Sequence, residues 1–372
     1  MAKVKGGSHN PDGIECHGDV FNHERRGEPH RDRTLYAMDL AKQVFQVFWV
    51  EERSRTREKR LKRAQVLEFF ARLAPARVAM EACGSAHYWG RELQGLGHEV
   101  ILVHPRYVRA FVKTNKTDSA DARAIWTAAS QPQMRAVPVK SVESQTILAL
   151  HRVRQGRRDM RTALMNQLRG LLAEFGVVLK RGRAAGLAEL YSRSCELEAK
   201  LPGTMVSLVR EQCEWIRRLE REVRELEGRI RASHAGDERF ASLTSIPGIG
   251  LLGASTLLAQ VGNRQPFRSG RQASAFVGIV PRQSGTGGRV RLGAISKRGD
   301  PYLRTRLIHG ARSVIAKSKQ HSPWLKALLA RRGKNVAAVA LANKNVRIAW
   351  ALLRRGGRYE PDHQARALAP AH

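Results

Sequence analysis

Between residue 34 and about residue 140, short runs rich in Val, Ile, Phe and Tyr alternate with helical patterns. That alternation restricts the segment to an α/β layer architecture. "TLYAMDLAKQVFQVFWVEE" reads as two paired strands, with Asp39 at the end of the first. "RSRTREKRLKRAQVLEFFARL" is basic and then amphipathic. "RVAMEACG" predicts a buried strand ending at Glu81, followed by the helical "AHYWGRELQGLG" with glycine as its stop signal. "HEVILVHP" repeats the strand pattern, and "SADARAIWTAA" predicts a helix. The α/β domain is therefore expected over residues 34–140, behind a polar leader at residues 1–33 that lacks periodicity. Cys16, His17, His23 and His30 in that leader match no common zinc spacing.

Two long helices should follow, in a segment spanning residues 141–238. The first carries an apolar stripe at Met160, Leu164, Leu168, Leu171 and Phe175, and nine Lys or Arg face two acids between residues 150 and 183. With so few acids to neutralise them, Arg154, Arg157, Arg158 and Arg161 are candidates for a nucleic-acid-facing surface. The second helix carries Val209, Ile216, Leu219, Val223, Leu226 and Ile230 at coiled-coil spacing, which fits an intramolecular hairpin and a dimer seam equally well.

Residues 239–356 form a third, mainly helical segment, with a short tail at 357–372. "FASLTSIPGIGLLGASTLLAQVG" has the form helix, tight turn, helix, the helix-hairpin-helix pattern of DNA-binding proteins. Gly248 and Gly250 would let backbone approach a phosphate at the second helix's N-terminus, and an ordinary αα-hairpin is the plainer alternative.

Charge narrows the partners. The chain has 66 Lys and Arg against 33 Asp and Glu in 372 residues, so a polyanion, and nucleic acid first, is the expected partner. No signal-peptide pattern is present, and apolar stretches such as "VAAVALA" are too short to span a bilayer, so the expectation is a soluble intracellular protein with no membrane partner.

Against that charge balance four acids stand out: Asp39 and Glu81 at strand ends, and Asp118 and Asp121 on one face of a helix start. Taken alone, Asp118 and Asp121 fit a complement to the helix dipole equally well. Four clustered carboxylates would repel a phosphate unless divalent cations lay between them, which points to metal ligands. A second constellation, "VPRQSGTGGRVRLGAISKRGD", sets Ser284 in a glycine-rich turn among Arg282, Arg289, Arg291, Lys297 and Arg298. Such a serine is usually a turn former, but guanidinium groups would suit a phosphoryl-transferring hydroxyl.

Six segments, "YAMDLAK", "MEACGSAHYWGREL", "KTDSADARAI", "NQLRGLLAEFG", "SIPGIG" and "VPRQSGTGGRVRLGAISKRGDPYLR", occur in the order found in the IS110 family of insertion-sequence transposases. The last most resembles its IS1111 subgroup, and the likeness spans residues 34–356. The resemblance implies an RNase H-like (RuvC-like) domain whose tetrad falls on Asp39, Glu81, Asp118 and Asp121, a coiled-coil insertion, and a C-terminal transposase domain with a catalytic serine at Ser284. It further implies Mg²⁺, with Mn²⁺ as a substitute, DNA ends and target as substrates, and a structured guide RNA. A homo-oligomer (dimer or tetramer) with an active site composite across protomers, and a nucleoid-associated cytoplasmic location, complete the set. Family patterns also displace the serine by one position, which leaves Thr286 as an alternative hydroxyl. A junction-resolving endonuclease and a non-catalytic nucleic-acid-binding protein are the competing readings.

Overall fold

The computed structural model describes residues 33–51, 54–112, 117–261 and 267–361. The leader residues Cys16, His17, His23 and His30, and most of the expected tail, lie outside them. The chain divides into two compact units, at residues 137 and 138.

The N-terminal unit is a five-stranded sheet, in the order β3-β2-β1-β4-β5. Strands β1 (Leu35–Asp39), β2 (Val44–Val50) and β3 (Thr56–Lys62) form an antiparallel meander. Strands β4 (Arg77–Glu81) and β5 (Glu99–Val103) extend the sheet in parallel from β1. Short helices α1 (Val66–Ala71) and α2 (Ala86–Gly95) connect β3 to β4 and β4 to β5, α3 (Pro105–Arg109) follows β5, and α4 (Asp118–Ala129) closes the unit.

Strand β3 is absent from the sequence expectation, and its composition explains why. "TREKRLK" shows no alternation, and Leu61 is its only buried residue. It is an edge strand, where charge discourages pairing with other chains instead of signalling a core. The interior strands instead obey a period of two. Leu35 and Ala37 of β1, Ala79 of β4, and Ile101 and Val103 of β5 pack with Ala124, Ile125 and Ala128 of α4. The small side chains at positions 37, 79, 124 and 128 bring α4 close to the sheet. On the opposite face Tyr36 meets Phe70 at 6.1 Å between ring centroids, and Phe45 meets Trp89 at 5.0 Å.

The C-terminal unit is mainly helical. Helix α5 (Val142–Glu174) runs antiparallel to α8 (Gly203–Ala232), as the opposed sequence order of the ion pairs Arg154–Glu227 and Arg157–Glu222 requires. Helices α6 (Arg183–Ser192) and α7 (Ser194–Lys200) cap one end of this hairpin in an apolar cluster with Met165, Leu168, Leu172, Cys213 and Ile216. At the other end the buried Ser255 hydroxyl lies 2.9 Å from His151 Nε2 and 2.8 Å from His234 Nε2. Burial, followed by the charge of Arg154, holds His151 down to about 4, so the network is built from neutral imidazoles.

Two expectations for these helices change. The buried face of α5 is His151, Arg154, Met165, Leu168 and Leu172, whereas Met160 is 54% exposed, so the apolar stripe is rotated from the expected one. The coiled-coil positions Leu219, Val223, Leu226 and Ile230 of α8 are buried within the single chain, which identifies an intramolecular hairpin seam.

The remaining elements are α9 (Glu238–Thr244), α10 (Leu251–Val261), α11 (Gly270–Val277), the hairpin β6 (Pro281–Thr286) and β7 (Arg289–Ile295), then α12 (Pro301–Lys317), α13 (Pro323–Arg331) and α14 (Lys334–Arg355). Helix α14 is long and apolar enough by composition to cross a bilayer, unlike the shorter runs read from sequence. Its Ala338, Leu341, Ala342, Val346 and Ala349 account for that character, because they form part of the unit's core with Leu303 and Leu307 of α12.

Candidate active site

The period of two that places Ala37 and Ala79 against α4 places Asp39 and Glu81, two residues further on, toward the same side of the sheet. Each is the last residue of its strand, and β1 and β4 are hydrogen-bonded neighbours. Helix α4 begins beside them. Thr117 is its N-cap, accepting from the Ala120 amide at 3.2 Å, and this puts Asp118 and Asp121 in the first turn. The structure therefore gathers the four acids in one region of the N-terminal unit.

Electrostatics report the same proximity. Asp39 is raised from its ordinary 3.8 to about 6, first by burial and then by the charges of Asp121, Asp118 and Glu81; the Leu40 amide only partly offsets them. Among the described residues, the causes that set this balance include no cationic side chain. A carboxylate cluster without internal neutralisation is a poor structural element and a good receptor for a hard divalent cation. As they stand, no three potential ligands among the described residues are drawn to ion-holding distance. The all-oxygen donor set fits Mg²⁺ or Mn²⁺.

The start of α4 is fixed to the sheet from β3. Glu58 accepts from Ser119 Oγ at 2.8 Å and from Arg123 Nε at 2.7 Å. Burial opposes its ionisation, but these donors outweigh burial and hold the carboxyl below its usual range. Trp126 Nε1 donates to the Leu35 carbonyl at 3.1 Å, one turn further along. Glu58 went unnoticed in the sequence because the strand that carries it did.

Ser284 lies within β6, which corrects its expected position in a turn. The turn is Gly287-Gly288, with φ of 56° and 76°, values that suit glycine. Ser284 pairs with Arg291 and Thr286 with Arg289 across the ladder, and both strands are exposed. The hairpin's base is held firmly: Lys297 and Ser296 donate to the Gly278 and Val280 carbonyls, while Arg304 donates to Val277 and Gly299. Lys297 and Arg298 are exposed at this base.

Comparison with known proteins assigns both units. Residues 36–176 match the DEDD transposase domain of IS110 elements, and residues 241–329 match the transposase domain of the IS116/IS110/IS902 family. A probable family 20 transposase of Pseudomonas aeruginosa is 52% identical over 330 residues, covering 87% of this chain and 98% of that one. The chain belongs to the IS110 family of transposases. The transposase of insertion sequence IS1111A from Coxiella burnetii is 40% identical, covering 91% of this chain and 94% of its own. That of IS1328 from Yersinia enterocolitica is 38% identical, covering 87% and 97%. The protein is thus an enzyme that cleaves and rejoins DNA. Asp39, Glu81, Asp118 and Asp121 fall inside the matched DEDD domain, a domain type that implies divalent metal use, and Ser284 falls inside the second matched domain.

The basic residues of this transposase separate into two groups. Arg154 was expected to face nucleic acid; instead it is 7% exposed and ion-paired with Glu227, so it belongs to the helix interface. Arg157 pairs with Glu222 at 2.8 Å but stays partly exposed. Arg158 and Arg161 are also partly exposed, and Arg161 is lowered by burial and by its neighbours Arg183, Arg158 and Arg154.

The glycine turn separates likewise. Ile246 to Ile249 form a tight turn, closed by the Ile249 amide on the Ile246 carbonyl at 2.9 Å, with Pro247 second and Gly248 third at φ 93°. Gly248 crosses the backbone of Gly310 in α12, and Asn345 Nδ2 donates to the Pro247 carbonyl at 2.8 Å. Packing inside the protein thus accounts for Gly248, whereas Gly250 is exposed with open space around it. A groove of about 1340 Å³ along α14, beside Trp324 and Trp350, is mostly apolar and contains none of the candidate residues.

Proposed function

We propose that this transposase moves an insertion sequence by DNA strand exchange, with Asp39, Glu81, Asp118 and Asp121 holding Mg²⁺, or Mn²⁺ in its place, and Ser284 as the nucleophile. The observation that carries the reading is the convergence of Asp121, Asp118 and Glu81 on Asp39, with no cation among its perturbing neighbours in the described residues. The sheet order β3-β2-β1-β4-β5, antiparallel on one side and parallel on the other, supports an RNase H-like (RuvC-like) assignment for the N-terminal unit. Divalent ions bound there would neutralise phosphate charge and stabilise attacking and leaving oxygens.

In the cleavage step the Ser284 Oγ–P bond forms as the P–O bond to the sugar breaks. The hydroxyl proton passes to solvent, to which β6 is open, and the departing sugar oxygen takes one up. Because a phosphodiester is conserved in the serine link, the break reseals without an external energy source. Arg157, Arg158, Arg161, Gly250, Arg282, Arg289, Arg291, Lys297 and Arg298 form the nucleic-acid-binding set. The net formal charge of +33 supports DNA and a structured guide RNA as partners. The working form is a homo-oligomer in the bacterial cytoplasm.

The test is Asp118→Asn. Strand exchange falls to background while DNA affinity in a filter or fluorescence assay stays within about threefold, because binding is carried by the basic surface. Full strand exchange by this variant overturns the metal-site assignment. Hydrolytic nicks without a protein–DNA adduct in the wild type favour a junction-resolving nuclease instead.

A further inference from the structure

The hairpin β6–β7 sorts its side chains by chemistry. Cross-strand partners share a face, as do alternate residues of one strand. Ser284 and Thr286 therefore share one face with their partners Arg291 and Arg289. Gln283, Gly285, Val290 and Leu292 occupy the other, where Val290 and Leu292 are 58% and 69% exposed. One face carries two hydroxyl–guanidinium rungs, and the other is mostly apolar.

Of the five basic residues near Ser284 in sequence, the ladder singles out Arg291. It lies directly opposite Ser284, at a separation of about 5 Å between Cβ atoms for such pairs. Arg289 is one rung nearer the turn, Arg282 falls at the irregularity between Pro281 and Gln283, and Lys297 and Arg298 lie beyond the strand. The Arg291 guanidinium forms no ion pair with any acid among the described residues. A phosphate in contact with Ser284 Oγ would lie within its reach.

We propose that Arg291 is a catalytic residue that grips the nonbridging oxygens of the phosphate attacked by Ser284, with Arg289 as the secondary contact on the same face. The inference rests on the serine reading given above and adds to it the group that stabilises the pentavalent phosphate. As Oγ bonds to phosphorus and the sugar oxygen departs, negative charge gathers on the nonbridging oxygens. A guanidinium with two N–H groups directed at them stabilises that charge more than it stabilises the ground state. Nucleophile and stabiliser ride on one two-stranded ladder, so their spacing is kept when the hairpin moves.

The experiment compares wild type, Arg291→Ala, Arg291→Lys, Lys319→Ala and Ser284→Ala of the full-length chain on a nicked suicide duplex carrying the element's own end. The duplex is made with a phosphodiester and with a charge-neutral methylphosphonate at the scissile position. Covalent adduct is followed by denaturing gel and binding by fluorescence anisotropy. Arg291→Ala is expected to slow adduct formation by roughly 10²–10³-fold on the phosphodiester. Its affinity should fall by less than about tenfold, and Lys319→Ala, at an exposed basic residue outside the binding set, keeps the wild-type adduct rate. On the methylphosphonate, where there is no charge to neutralise, Arg291→Ala should approach the wild-type rate, and Arg291→Lys should be intermediate on the phosphodiester. If Arg291→Ala matches wild type on the phosphodiester while Ser284→Ala forms no adduct, the Arg291 role is wrong and the serine reading stands. A loss for Arg291→Ala that the methylphosphonate does not relieve also overturns the role. Undiminished adduct from Ser284→Ala removes both.

Discussion

Asp39→Asn removes the most strongly perturbed carboxylate of the site, and the sign of its effect follows from the raised value. An acid held at about 6 in the folded chain against 3.8 ordinarily costs folding free energy whenever it is ionised. The penalty is small below pH 4, grows between the ordinary and the folded value, and is complete near pH 7. A rise of about two pH units corresponds to about 3 kcal/mol. Because Asp39 is only partly buried, solvent screening reduces this to roughly 1–2 kcal/mol. In metal-free buffer at pH 7.5, Asp39→Asn should therefore melt about 3–6 °C above wild type, and at pH 4 the two should coincide. Added Mn²⁺ should reverse the order, because ligand binding to the folded state stabilises only the chain that keeps its site. Differential scanning fluorimetry at both pH values, with and without Mn²⁺, reads all four conditions. A variant less stable than wild type at pH 7.5 without metal would refute the repulsion argument.

Other expectations follow from single contacts. Glu58→Gln should weaken Mn²⁺ binding by about tenfold in calorimetry, since Ser119 and Arg123 lose the carboxylate that anchors the start of α4. Gly310→Ala should cost more than about 2 kcal/mol in urea denaturation, because its Cβ would meet the Gly248 carbonyl oxygen. Gly250→Ala, in open space, should leave stability unchanged and lower DNA affinity if the turn contacts phosphate. Arg154→Ala should destabilise by about 3 kcal/mol by stranding Glu227, whereas Arg158→Ala should lower DNA affinity and its salt dependence with little effect on stability.

Much of the N-terminal unit could be read from the chain because its interior strands alternate and end in acids. Asp39 and Glu81 were visible as carboxylates in apolar runs, and Asp118 and Asp121 as a pair at a helix start. Strand β3 was not, since an edge needs charge and Leu61 alone marks its buried side. The buried face of α5 was hidden for a related reason. His151 and Arg154 occupy positions where a periodicity search expects apolar residues, and partners distant in sequence, Ser255 and Tyr302 for His151 and Glu227 for Arg154, make their burial tolerable. Ser284 was misplaced because "QSGTGG" offers several turn-forming residues, and the positive φ at Gly287 and Gly288 decides which of them bend. The seam of α8 was visible as a pattern, but its partner, α5, was identifiable only from the fold.

The central claim is that four carboxylates on one side of the N-terminal sheet bind the divalent ion this transposase needs. Titration of Mn²⁺ into metal-free protein, followed by the loss of the free-ion electron paramagnetic resonance signal, tests it without requiring DNA, guide RNA or activity. Wild type should sequester Mn²⁺, and Glu81→Gln and Asp121→Asn should each weaken that binding by at least about tenfold, with Mg²⁺ competing for the same site. Equal Mn²⁺ binding by wild type and both variants would contradict the account.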